Sequence, residues 1–189
     1  MCGMVELSHD PGGKVRIPLQ PGVIADAEFS VCGRYRHWLS RQWGKPEDPY
    51  VLWIGMNPST ADMFVDDPTI RKEIRWTRSW GFSSYCKVNV MDYRATDPKR
   101  LLERGTVPVS DDNFLTIRQC AASAARVVCA WGALPKPLCN FAKAVELMLG
   151  DKTLWCMGVT KGGQPRHPLY LKNATPPIVW RRPTDGRAA

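Results

Sequence analysis

Four short apolar runs alternate with stretches of helical spacing, and this alternation constrains the fold more than any other feature of the chain. The runs cover residues 51–54 (VLWI), 85–90 (YCKVNV), 127–131 (VVCAW) and 153–157 (TLWCM). Each is short and bounded by polar or turn residues, which reads as strand rather than helix. The first intervening stretch, DDPTIRKEIRWTRSWG, has Asp67 as N-cap, Pro68 in the first helical position and Gly81 as its stop; Ile70 and Ile74 lie one turn apart on one face. A second helix is expected to be capped by Ser110, with Asp111 and Asp112 in its first turn, where the helix dipole favours acids. A third is expected over 137–149, stopped by Gly150.

Strand and helix in strict alternation predict an α/β chain with a parallel four-stranded sheet and helices on both faces. Right-handed crossovers then bring all four strand C-terminal ends to one rim, the edge at which open α/β sheets bind ligands. Outside this frame, 27–44 mixes aromatics with Arg34, Arg36 and Arg41 and reads as an edge strand or hairpin. A last strand is expected at 178–180. Residues 1–25, rich in Gly and Pro, are expected to be loosely ordered, 26–180 to form one domain, and 181–189 a basic tail.

The 189 residues suit one domain with a sizeable core, and 44% hydrophobic residues fit a globular chain. No apolar run is long enough to cross a membrane, and the opening residues lack the apolar stretch of a secretory signal, so a cytoplasmic location is expected. The seven cysteines are scattered, with no CxxC pair, which reads as reduced core thiols rather than a metal centre or an iron–sulfur cluster. No cofactor, metal, membrane or protein partner is indicated. The net charge is +8, from 26 Lys and Arg against 18 Asp and Glu, and favours a polyanionic partner.

Polar and aromatic residues gather where the four strands end. The first strand leads into Gly55-Met56-Asn57-Pro58-Ser59, the second into Asn89, Asp92, Tyr93 and Arg94, and the third into Trp131 and Gly132. After the fourth, GVTKGGQPRHPLYL supplies Lys161, Arg166, His167, Leu169 and Tyr170. Convergent polar groups beside apolar walls describe a small-molecule or base pocket. Asn57 alone suits a turn, and Trp131 alone suits a core. Asn89, an amide inside an apolar strand, must find partners in the fold or in a ligand. Arg71, Arg75 and Arg78 share one face of the first helix, either as a solvated stripe or as phosphate contacts.

Together the rim segments resemble the uracil-DNA glycosylase superfamily. GMNPS at 55–59 is similar to its first motif, NVMDYRATDP at 89–98 to its base-reading asparagine segment, AWGALP at 130–135 to the segment after its third strand, and HPLYL at 167–171 to its second catalytic motif. Residues 50–180 also look like a bacterial and phage domain family of unknown function, with NPSTAD, DDPTIR, WGF, YRATDP, WG and RHPLYL as hallmarks. The glycosylase resemblance implies a three-layer α/β/α domain that excises an altered or modified base, a DNA repair chemistry, on single- or double-stranded DNA. It implies Asn57 and His167 as the catalytic pair, Asn57 positioning water and His167 bonding the departing base oxygen. Asn89 would read the base, with Gly55, Met56, Pro58, Ser59, Phe64, Tyr93, Arg94, Trp131 and Gly132 around it and Phe64 as a stacking partner. Lys161, Arg166, Arg71 and Arg75 would hold phosphates, and Leu169 or Tyr170 would fill the vacated stack. Departures are Asn57 where the fastest members carry Asp, Ser59 where they carry Gly, and the insertion TADMFVDDPT, whose Asp62 and Asp66 are candidate extra bases. The alternatives are a nucleic-acid-binding module with its chemistry lost, and an enzyme of free nucleosides or nucleotides.

Overall fold

The computed structural model describes residues 15–183. It is a mixed α/β structure. The strands are β1 (Ile17–Pro18), β2 (Ile24–Phe29), β3 (Arg36–Gln42), β4 (Tyr50–Gly55), β5 (Val65–Asp66), β6 (Ser84–Asn89), β7 (Arg126–Cys129), β8 (Leu154–Cys156) and β9 (Ile178–Arg181). The helices are α1 (Pro68–Ser79), α2 (Asn113–Ser123) and α3 (Cys139–Met148). Seven strands form one sheet in the order β2-β3-β6-β4-β7-β8-β9. Its centre, β6-β4-β7-β8, is parallel, and these are the four strands read from the sequence. The hairpin β2-β3 extends one side antiparallel, and β9 closes the other.

The period-2 alternation of side chains along a strand sorts the two faces. Val51, Trp53, Tyr85, Val128 and Ala130 share a core with Ile70, Ile74 and Trp76 of α1. Leu52, Ile54, Cys86, Val88, Val127 and Cys129 share the other core with Ile117 and Ala121 of α2 and Ala142 and Val145 of α3. The central strands are buried on both faces, which is why they read as continuous apolar runs.

α1 begins as its sequence dictates: the Asp67 carboxylate accepts from the Ile70 N–H at 2.9 Å, and Gly81 takes the left-handed conformation, φ 82°, just past its end. Trp53 fixes the helix over the sheet. Its indole stacks on Trp76 and Trp80 and donates to the Thr77 hydroxyl at 3.0 Å.

One expectation is corrected. Ser110 does not cap α2, and the helix begins at Asn113, behind the acids at 111 and 112. The Ser110 amide and hydroxyl instead donate to the buried Asp92, which also meets His37 Nδ1 at 3.1 Å; a buried carboxylate out-competes a helix end for donors. Within 1–25, the described residues 15–25 make specific contacts with the domain. β1 pairs with β5, Ile24 opens β2, and Arg16 meets Asp62 at 2.9 Å. Residues 1–14 and 184–189, with most of the expected basic tail, lie outside the described residues.

Tyr85 and Lys87 of β6 point to the α1 face, and both reach Glu73, which is fully buried. Lys87 Nζ donates to Glu73 Oε1 at 2.6 Å, and the Tyr85 hydroxyl donates to Oε2 at 2.6 Å. Burial pushes the Glu73 carboxyl up, against the opposing pull of Lys87 and the hydrogen bond from Tyr85. Glu73→Gln strands an ammonium inside the protein and is expected to cost about 3–5 kcal/mol in urea unfolding; adding Lys87→Met should recover most of the loss. The thiols offer a second check. Cys86, Cys129 and Cys156 are buried, whereas Cys32 is exposed, and hydrogen bonds from Ser30 and then Arg34 hold its thiol down to about 7. Among the described cysteines, Cys32 should alkylate first, at a rate that rises through pH about 7 rather than about 9.

Candidate functional site

The C-terminal ends of the four parallel strands and the first turn of α1 enclose a cavity of about 770 Å³. The β4 exit contributes Gly55, Met56, Asn57 and Ser59; β6 contributes Lys87 and Asn89; the segment after β7 contributes Trp131 and Gly132; and the loop after β8 contributes Arg166, His167, Leu169 and Tyr170. The volume suits a small organic ligand.

The loop after β4 is held by a continuation of the β4–β6 ladder. The amides of Val90, Met91 and Ala95 donate to the carbonyls of Gly55, Met56 and Pro58 at 2.9, 3.0 and 2.9 Å. Asn57 locks this loop from within, because its Nδ2 donates to the carbonyls of Pro58 (2.9 Å) and Ala95 (2.7 Å). Both hydrogens of the amide are thereby committed. Its remaining polar atom, Oδ1, can only accept, so Asn57 is oriented as a pure acceptor.

Asn89 is 1% exposed, and neither its Nδ2 nor its Oδ1 has a hydrogen-bond partner within the protein. It stands directly beside Gly55 in the parallel register. A Cβ on Gly55 would fall 2.8 Å from Asn89 Oδ1 and 2.8 Å from Lys87 Nζ, so the missing side chain is the room these two groups occupy. An orphaned buried amide on a cavity wall is complementary to a ligand edge with one donor and one acceptor.

His167 packs on Gly132, whose φ is 77° and whose added Cβ would meet His167 Cβ at 3.1 Å. The Leu169 amide donates to His167 Nδ1 at 3.3 Å, which places the proton of the neutral ring on Nε2. Trp131 is fully buried, donates to Gln164 Oε1 at 2.8 Å and meets Trp180 edge to face.

Other expected site residues lie elsewhere. Phe64 is 68% exposed and off the cavity, because Asp62 ties its amide back into the 62–65 turn. Pro58 is buried behind the loop and off the cavity wall. Tyr93 meets Tyr35 edge to face and bonds to Pro108, and Arg94 is buried against Gly33 and Phe29. Both support the hairpin rather than the cavity. Arg71 is engaged by Asp66 at 2.9 Å and by the Pro18 carbonyl, while Arg75 and Lys161 are exposed away from the cavity wall. Asp62 and Asp66 are also absent from that wall. Asp62 serves its turn and Arg16, and Asp66 lies between Arg71 and the buried Arg41, at 2.8 Å from Arg41 Nε. Of the three carboxylates in the insertion only Asp67 faces the cavity, and there its Oδ1 caps α1.

Lys87 and Arg36 line the cavity and Glu73 braces Lys87; none of the three is among the site residues expected from the sequence. Lys87 shares the parity of Asn89 on β6, and Glu73 shares the buried face of Ile70 and Ile74, so both were readable from spacing. Arg36 was not. The β2–β3 register shifts between Glu28 and Phe29, opposite Trp38 and Arg36; His37 is the extra residue, and the alternation of β3 flips there. Among the described residues no group of three or more His, Cys, Asp or Glu could hold a metal ion. Gly55→Ala should force Asn89 and Lys87 apart, cost about 1–3 kcal/mol in thermal or urea unfolding, and shift the Asn89 side-chain amide resonances.

No helix among the described residues is long and apolar enough to cross a membrane. No curated protein and no solved structure matches the chain. A family model described as "Protein of unknown function (DUF1643)" matches residues 36–169, a stretch that holds every cavity residue except Val15, Tyr170 and Leu171. The chain therefore belongs to the DUF1643 family.

Proposed function

We propose that this protein hydrolyses the N-glycosidic bond of an altered or modified base, in the manner of the uracil-DNA glycosylases its rim segments resemble. The observation that carries the reading is Asn89: a buried amide with both polar atoms unpartnered, on the wall of a cavity sized for a nucleoside. Such an amide is costly to keep unless a ligand supplies the missing pair of hydrogen bonds. The helices on both faces of the four parallel strands support the three-layer reading of the fold.

In this reading the base enters with its amide-like edge against Asn89, beside Trp131. Asn57 Oδ1 accepts from a water and aims it at the sugar carbon. Water adds to that carbon, the carbon–nitrogen electron pair leaves with the base, and the water's proton ends on the departing base. His167 Nε2–H donates to the base oxygen on which negative charge grows. DNA is the proposed partner, with Leu169 and Tyr170, 38% and 87% exposed at the cavity mouth, as the groups that enter the stack.

The test is a base-release assay on single- and double-stranded oligonucleotides carrying uracil, hypoxanthine, hydroxymethylated or glycosylated pyrimidines. Wild type is expected to leave abasic sites on at least one substrate. Asn57→Ala and His167→Ala should lower the rate roughly 10²- to 10³-fold while oligonucleotide binding persists. Salt-dependent binding without abasic sites on any substrate would overturn the hydrolase reading in favour of a binding module.

A further inference from the structure

The charges around the cavity do not balance locally. Lys87 has Glu73, and Arg41, on the same hairpin as Arg36, has Asp66. Arg36 has no such counterpart. It is 2% exposed, lines the cavity, and makes one side-chain hydrogen bond, from Nη1 to the Ala61 carbonyl at 2.8 Å. Its Nε has no partner, and among the described residues it makes no ion pair. Asp67 acts on it only beyond ion-pair distance, and one Asp67 oxygen is taken up by the Ile70 amide. Burial pulls the Arg36 guanidinium down to about 10. A buried cation without a counter-ion destabilises a fold unless an anion joins it.

The first turn of α1 lines the same cavity through Pro68, Thr69 and Ile70. Pro68 has no N–H and the Ile70 amide is spent on Asp67, so the Thr69 amide is what this turn can offer an anion, beside a donor-only guanidinium with unused capacity. We infer that the cavity carries a phosphate subsite, formed by Arg36 and the first turn of α1, so that the ligand is a nucleoside phosphate rather than a bare base or nucleoside. Asn89 takes the base edge and Arg36 the phosphate. The base half of this assignment rests on the function proposed above; the phosphate half rests on Arg36 and the first turn of α1. Arg36 is a binding residue here, with no part in bond cleavage.

Calorimetric titration separates the two. The probes are the four deoxynucleosides and deoxyuridine, their 5′-monophosphates, inorganic phosphate, and short single-stranded oligonucleotides. The proteins are wild type, Arg36→Met, Arg36→Lys and Asn89→Ala. For wild type at least one monophosphate should bind about tenfold or more tighter than its nucleoside, as expected for a charge-assisted contact, and inorganic phosphate should compete. Arg36→Met should bring the two to within about twofold, and Arg36→Lys should fall between, since it keeps charge but loses the fork. Free of ligand, Arg36→Met should melt no lower than wild type, because it removes an unpaired buried charge. If only oligonucleotides bind, and Arg36→Met weakens them, the phosphate subsite stands with polymer as its source. Equal binding of nucleoside and monophosphate, lost in Asn89→Ala, would overturn the phosphate subsite and leave the base reading intact. A phosphate preference that survives in both Arg36 variants would overturn it too, as would no binding of any probe.

Discussion

Lys87 lies inside a parallel strand, on a face sealed by a helix, and Glu73 is the charge that lets it remain there. The pair joins β6 to α1 at the floor of the cavity, and the Tyr85 hydroxyl satisfies the second carboxylate oxygen. Because Tyr85, Lys87 and Asn89 alternate along one face, the contact that fixes the first two also fixes where Asn89 stands. A helix displaced by one turn would leave two charges buried and unpaired. The position of α1, and of the cavity wall its first turn forms, follows from this neutralisation.

A second layer of constraint holds the loops. Arg41 reaches from the hairpin to Asp66 and to the carbonyls of Asp62 and Val65, pinning the insertion between β4 and α1. The amide ladder past β4 and β6 pins the Asn57 loop. Chain segments that leave a sheet are ordinarily mobile. Here both are tied by buried bonds, which suits a preorganised ligand site. Among the described residues, the cavity wall carries unpartnered buried groups in the Asn89 amide, the Arg36 Nε and the Ser59 hydroxyl, and the Asn57 acceptor is oriented by its own two donated bonds.

One physical rule governs the polar residues around the cavity. Tyr93, Arg94, Asp62 and Asp66 are polar residues close in sequence to the cavity, and each was consumed by the fold's own needs. A buried charge or hydroxyl takes the nearest donor or acceptor whichever element carries it, and short-range sequence pattern does not say which that will be. Ser110 follows the same rule, serving Asp92 rather than its helix. Whether a given polar residue braces the loop or faces the ligand is settled by long-range contacts.

By itself the sequence determined the order and type of the central elements. Apolar runs of strand length, an Asp-Pro helix start and glycine stops are local signals with local causes, and the four parallel strands and α1 appear where those signals lie. It also brought Asn57, Asn89, Trp131 and His167 to one rim, because parallel strands joined by crossovers end on the same side. Only the tertiary structure decided which groups remain unsatisfied there. Arg36 reaches the cavity because a bulge flips the alternation of an edge strand, and Gly55 matters because a neighbouring strand brings Asn89 and Lys87 against it. Both depend on pairing between segments dozens of residues apart, where a one-residue change of register moves a side chain to the opposite face.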